Sequence, residues 1–101
     1  MGRGVTEAAV GDPRLQAFIA EVLVSLKPGV NDPEGLAIRD GLHSLGFNEV
    51  DAVRSGKYLR VIVDATSAAQ AEARVAEMCD RLLSNPVIEQ YRIQILEPVG
   101  R

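Results

Sequence analysis

The chain has 101 residues, a formal net charge of −3, one cysteine and one histidine. That length fits one domain with one modest core, and 47% hydrophobic with 25% charged residues is ordinary for a soluble globular protein. Cys79 alone excludes an internal disulfide or a cysteine zinc cluster, and His43 alone removes most metal and triad chemistry.

A pI near 5.1 argues against nucleic acid as the main partner, because phosphate neutralisation needs an excess of Lys and Arg. No apolar run approaches the roughly 20 residues of a membrane span, and Met1-Gly2-Arg3-Gly4 lacks the apolar core of a signal peptide. A cytoplasmic location is therefore expected.

Residues 1–16 carry three Gly, one Pro and mixed charge without a sustained period, and read as a flexible tail before a single domain over 17–98. Phe18 to Lys27 alternates as a strand, with Phe18, Ala20, Val22, Val24 and Leu26 on one face. Lys27-Pro28-Gly29 stops it. Asp32 then suits a helix N-cap, Pro33 the first helical position and Glu34 the positive end of the dipole. Ile38, Leu42 and Leu45 form the expected buried stripe. Gly46 fits a left-handed residue after the helix, with Phe47 placed to close a Schellman motif onto Leu42.

Residues 49–64 read as extended, with Leu59, Val61 and Val63 on one side. Ser55-Gly56 interrupts the run as either a hairpin turn or a glycine bulge, and the hairpin is favoured. Ser67 to Gln70 is a capping box opening a second helix, whose stripe is Ala71, Val75, Met78 and Leu82. Asn85-Pro86 ends it. Val87 to Glu97 is the last strand, with Val87, Tyr91, Ile93 and Ile95 sharing a face.

This order predicts an α+β fold: a small antiparallel sheet with two helices on one face, β-α-β-β-α-β, close to the ferredoxin-like plan. The other sheet face would carry Ile19, Leu23, Tyr58, Ile62, Ile88 and Leu96, interleaved with Glu21, Arg60, Arg92 and Gln94. So many apolar groups on a small sheet predict self-association through Ile19, Leu23, Ile62 and Leu96.

His43 reads as a helix-surface group and Cys79 as a buried structural thiol. Helix capping accounts for Asp32 and Glu34 without acid–base chemistry. Two loops invite contact with a partner. Lys27-Pro28-Gly29-Val30-Asn31-Asp32-Pro33 is rigid and sharply punctuated. Arg54 to Arg60 holds three cations with no acid between them, suited to an anion or an acidic partner. Neither is a Walker motif or a dinucleotide fingerprint.

VLVSLKPGVNDPEGLAI, then LHSLGF, VRSGKYLRVIVDA and NPVIEQYRI, occur in one order over residues 18–97. Together they resemble the PurS subunit family of phosphoribosylformylglycinamidine (FGAM) synthase. The resemblance implies a non-catalytic small subunit of a purine-biosynthetic enzyme, inactive alone. It self-associates, as a dimer or tetramer, and bridges a synthetase and a glutaminase subunit while supporting ammonia transfer between them. ATP, Mg²⁺ and glutamine would serve the complex, with no cofactor or metal held by this chain.

Lys27, Pro28, Gly29, Asp32, Pro33 and Gly35 match the family's first loop. Gly56, Lys57 and Tyr58 match its central turn, and Asn85 and Pro86 its last turn. With Arg54, these loops are the candidate subunit contacts. Asn31 and Ser55 depart from the family pattern. The competing class is an ACT-type domain binding an amino acid at a subunit interface. Its expected Gly-rich turn after the first strand is replaced here by Lys-Pro-Gly and Asp-Pro. An RNA-binding sheet fails on charge and on scarce sheet aromatics.

Overall fold

A computed structural model describes residues 13–99. Strand β1 (Gln16–Leu26) lies at the centre of a three-stranded antiparallel sheet, between β2 (Gly56–Ala65) and β3 (Glu89–Val99). The central place follows from composition. Phe18, Ala20, Val22 and Val24 give β1 a continuous apolar face, one aromatic followed by small and β-branched residues, and all four are buried. Helix α1 (Pro33–Ser44) follows β1, and α2 (Ala68–Met78) follows β2. Helix α2 packs across all three strands. It sets Ala71 in the cluster of Phe18 and Ala65, and sets Val75 in that of Ala20, Val22 and Val24. Tyr91, Ile93 and Ile95 close the core from β3.

The caps form as the residues dictate. The Asp32 side chain accepts from the Gly35 N–H at 2.9 Å. At the other end Gly46 takes φ +100°, the Phe47 N–H reaches the Leu42 carbonyl at 3.0 Å and the Gly46 N–H reaches the His43 carbonyl at 3.0 Å, the paired bonds of a Schellman motif. Ser67 caps α2 through the Gln70 N–H, while Gln70 answers one residue earlier than a strict capping box, at the Thr66 N–H.

Four expectations change. First, no hairpin forms at Ser55-Gly56. Residues 49–55 lie outside the sheet, and one strand, β2, occupies the interval between the helices. The Ser55 N–H goes to the Asp32 carboxylate instead of a cross-strand carbonyl. Second, only α2 packs extensively on the sheet. Helix α1 has no extensive contact with any strand or with α2. Its expected stripe is open to solvent, with Leu45 75% exposed and Ile38 exposed, and only Leu42 half-buried.

Third, Leu82 is 82% exposed. Helix α2 widens into one π turn, Cys79–Leu83, in which the Ser84 N–H reaches back five residues to the Cys79 carbonyl. That extra residue shifts the inner stripe to Ala71, Val75, Cys79 and Leu83. Fourth, the last strand begins at Glu89. Val87 and Ile88 sit in the preceding turn, where Val87 is 77% exposed and the Val87 N–H bonds the Asn85 side chain.

Of the expected tail, residues 1–12 lie outside the described residues, and β1 already opens at Gln16.

Candidate functional site

The three punctuated loops of the sequence converge at one end of the sheet. Lys27 leaves β1 with its backbone N–H on the Ile88 carbonyl (2.8 Å) and its Nζ on the Pro86 carbonyl (2.7 Å). The first loop is thereby tied to the turn at Asn85-Pro86. That turn is held by the Asn85 carbonyl, which accepts from the N–H groups of Ile88 and Glu89, and by the Glu89 carboxylate, which accepts from the Asn85 N–H. Pro28 and Gly29 turn the chain, with the Val30 N–H on the Lys27 carbonyl and Gly29 at φ +88°, as in a type II turn.

Arg54 approaches from the second loop. Its guanidinium donates to the Val30 carbonyl (2.9 Å) and the Lys27 carbonyl (3.2 Å). Beneath it lies Asp32, only 4% exposed. Its carboxylate accepts three bonds: from the Gly35 N–H (2.9 Å), the Ser55 N–H (2.7 Å) and the Ser55 hydroxyl (2.8 Å). These bonds, Ser55's backbone first, hold the Asp32 carboxyl below its ordinary value; the nearby Arg54 charge adds to this, and burial opposes it.

Lys27, Pro28, Gly29, Asp32, Arg54, Asn85 and Pro86 thus gather in one region, and Gly56 and Lys57 begin β2 beside it. Tyr58 points elsewhere. It pairs with Leu23 on the outer sheet face, where its hydroxyl donates to Glu21 at 2.8 Å. That bond, more than burial, raises the Tyr58 phenol. On the outer sheet face the strand register brings Ile19, Leu23 and Ile62 onto neighbouring positions. Ile19 pairs with Ile62 across β1 and β2, and Leu23 lies between Tyr58 and Arg92. Ile62 is 60% exposed.

Ser55 and Gly35 were not singled out for this role by their sequence neighbourhoods. Ser55 acts on a carboxylate 23 positions away. A Cβ at Gly35 would collide with the Val53 carbonyl and crowd Asp32, so the close approach of the two loops needs glycine there. Cys79 is fully buried, and burial pushes its thiol up, which makes it a core group rather than a nucleophile. Among the described residues no three His, Cys, Asp or Glu groups gather as metal ligands, and no helix is long and apolar enough to cross a membrane.

The region is thus built of backbone turns and carbonyl ties at one end of the sheet, beside an open apolar sheet face. The family profile described as PurS: Phosphoribosylformylglycinamidine (FGAM) synthase matches residues 19–97. The chain belongs to the PurS family. It is similar to the phosphoribosylformylglycinamidine synthase subunit PurS of Archaeoglobus fulgidus, at 48% identity over 76 residues, covering 75% of this chain and 95% of that protein.

Among solved structures it is similar to the PurS subunit from Thermotoga maritima, with a TM-score of 0.76 at 32% identity, covering 81% of this chain and 94% of that one. It is also similar to a chain in the structure of PurLQS from Thermotoga maritima, with a TM-score of 0.74 at 31% identity, covering 79% and 98%. The chain is therefore a PurS subunit of FGAM synthase, an enzyme of purine biosynthesis, and the ACT-type reading is set aside.

Proposed function

We propose that this chain is the non-catalytic small subunit that joins the synthetase and glutaminase subunits of FGAM synthase and supports transfer of ammonia between them. The observation that carries this is the surface left open. The sheet has an apolar outer face, α1 has an apolar stripe with no sheet beneath it, and the loop cluster offers ordered backbone at one end. A chain with those surfaces works by positioning and shielding. Ammonia kept from bulk water stays unprotonated and is not lost.

The PurLQS structure from Thermotoga maritima supports the assembly, since this chain superposes on one of its chains. Self-association, as a dimer or tetramer, would cover the outer face through Ile19, Leu23, Ile62 and Leu96 together with the α1 stripe. Lys27, Pro28, Gly29, Asp32, Arg54, Gly56, Lys57, Tyr58, Asn85 and Pro86 are then the candidates for contact with, or support of, the partner surfaces. ATP, Mg²⁺ and glutamine would be bound by the other subunits, in the cytoplasm.

The test is reconstitution of the synthetase and glutaminase with and without this chain. Without it, turnover driven by glutamine is expected to collapse while turnover driven by added ammonia persists. Full glutamine-dependent turnover in its absence would sink the reading.

A further inference from the structure

We infer that the cavity at the loop end of the outer sheet face is a binding site for a small phosphate monoester whose organic part carries a ring. The site is separate from the bridging role proposed above and does not depend on it.

The cavity, of about 590 Å³, opens where the three strands meet the loop cluster. That size holds a small ligand. Strand register sets its floor. Leu23 lies between Tyr58 and Arg92, and two residues on Ser25 lies between Gly56 and Gln90. Gly56 brings no side chain, which leaves the floor open at that point. Arg54 and Lys57 border the cavity from the start of β2 and the loop before it.

The lining carries three cations, Arg54, Lys57 and Arg92, and no Asp or Glu. In a chain of net charge −3 that is a local reversal of sign. Lys57 and Arg92 are exposed, and among the described residues neither is in an ion pair. Arg54 spends two of its five N–H groups on the Val30 and Lys27 carbonyls, neutral acceptors that fix the guanidinium without cancelling its charge. The acids bordering this region each have a donor already. Glu21 accepts from the Tyr58 hydroxyl, Asp32 from Gly35 and Ser55, and Glu89 from the Asn85 N–H.

Three cations suit a phosphate monoester better than a carboxylate. The ester carries nearly two negative charges at neutral pH on three terminal oxygens. The planar fork of an arginine binds two of those oxygens at once. The floor beside the cations is apolar: Leu23 and Tyr58 are both exposed there. The Tyr58 hydroxyl is held by Glu21, which fixes its ring as a face for a second ring. Of the outer-face residues proposed for self-association only Leu23 borders the cavity. Ile19, paired with Ile62, lies a further four residues along β1.

The experiment titrates the full chain, labelled with nitrogen-15, with inorganic phosphate, phenyl phosphate and phenol at constant ionic strength. Amide shifts report affinity and place. Phenyl phosphate should bind most tightly, inorganic phosphate about tenfold more weakly and phenol not measurably, with the shifts confined to the lining of the cavity. Arg92→Ala and Lys57→Ala should each weaken phenyl phosphate about tenfold. Arg74→Ala, which removes a cation from α2, should leave it unchanged. If Arg92→Ala lowers the unfolding midpoint, Arg92→Lys decides. It keeps the charge without the fork and should recover part of the affinity.

No saturable shift with either phosphate overturns the inference. Equal weakening by Arg74→Ala does so too, because the attraction would then belong to surface charge in general. A glutamate-rich peptide that binds the same residues more tightly than phenyl phosphate hands the cavity to an acidic segment of a partner protein and rejects the small ligand. The titration is repeated above and below the concentration at which the chain self-associates. Equal affinity in both regimes is expected; affinity lost on association makes the cavity part of a subunit seam and rejects the site.

Discussion

Gly35 and Gly41 lie six residues apart on α1 and should respond oppositely to alanine. Helix propensity favours alanine at either site by about 1 kcal/mol. At Gly41 a Cβ meets nothing within 4 Å, so Gly41→Ala is expected to stabilise by about 0.5–1 kcal/mol. At Gly35 it meets the Val53 carbonyl, which is backbone and cannot swing aside. Overpacking costs roughly 1–3 kcal/mol, so Gly35→Ala should be net destabilising. Urea midpoints of the two variants check the pair; equal effects would show that the loops do not meet as described.

Asp32 adds a pH signature. Its folded-state carboxyl titrates below the ordinary value of 3.8, so its contribution is fully present above that value and is lost as pH falls through the folded one. The stability gap between the native chain and Asp32→Asn should therefore be constant near neutrality and close only below about pH 4. A gap that closes between pH 5 and 7 would contradict the bonds from Ser55 and Gly35.

At the scale of elements, what could be read in advance was what lies within one turn of chain. Asp32, Pro33, Gly46 and Phe47 announce both ends of α1 because each cap involves groups three to five residues apart. The β1 face was equally plain from its period of two. The π turn was not, since an α-helix and a single π turn share the same apolar residues, and only the Ser84 bonds back to Cys79 distinguish them. The hairpin failed for a related reason. Ser55-Gly56 suits a turn locally, but the nearest strong acceptor for the Ser55 N–H is a carboxylate from a distant loop.

The same logic applies to the site. Its loops were visible as punctuated sequence, while the duty of Arg54, bonding two carbonyls of the first loop, depends on a fold that brings residues 24 and 27 positions apart together. The shifted stripe gives a test. Leu83→Ala, which trims the core, should cost about 1–3 kcal/mol, whereas Leu82→Ala should stay within about 0.5 kcal/mol. Thermal unfolding of both variants distinguishes the π turn from a regular helix, for which the order reverses.

For the whole molecule, the balance of surfaces matters more than any one bond. Among the described residues the buried apolar ones are mostly Ala and Val, with Phe18 the one large exception. Such a core supplies limited burial, and the outer sheet face and α1 stripe hold apolar area that only association can remove from water. Stability should then depend on protein concentration, with the unfolding midpoint rising as the chain is concentrated.

Ile62→Glu isolates this effect. Residue 62 is open to solvent in the single chain and pairs with Ile19 in the middle of the exposed face. In the monomer the substitution touches no packed core, so at high dilution its effect should stay within about 0.5 kcal/mol. In the oligomer a carboxylate would have to be desolvated against an isoleucine pair, so the concentration-dependent part of the stability should disappear. Midpoints measured over a hundredfold dilution, alongside the sedimentation of each chain, resolve the two regimes. Parallel curves for the native chain and the variant would mean that the outer face stays in water and that α1, or the loop cluster, carries the self-contact instead.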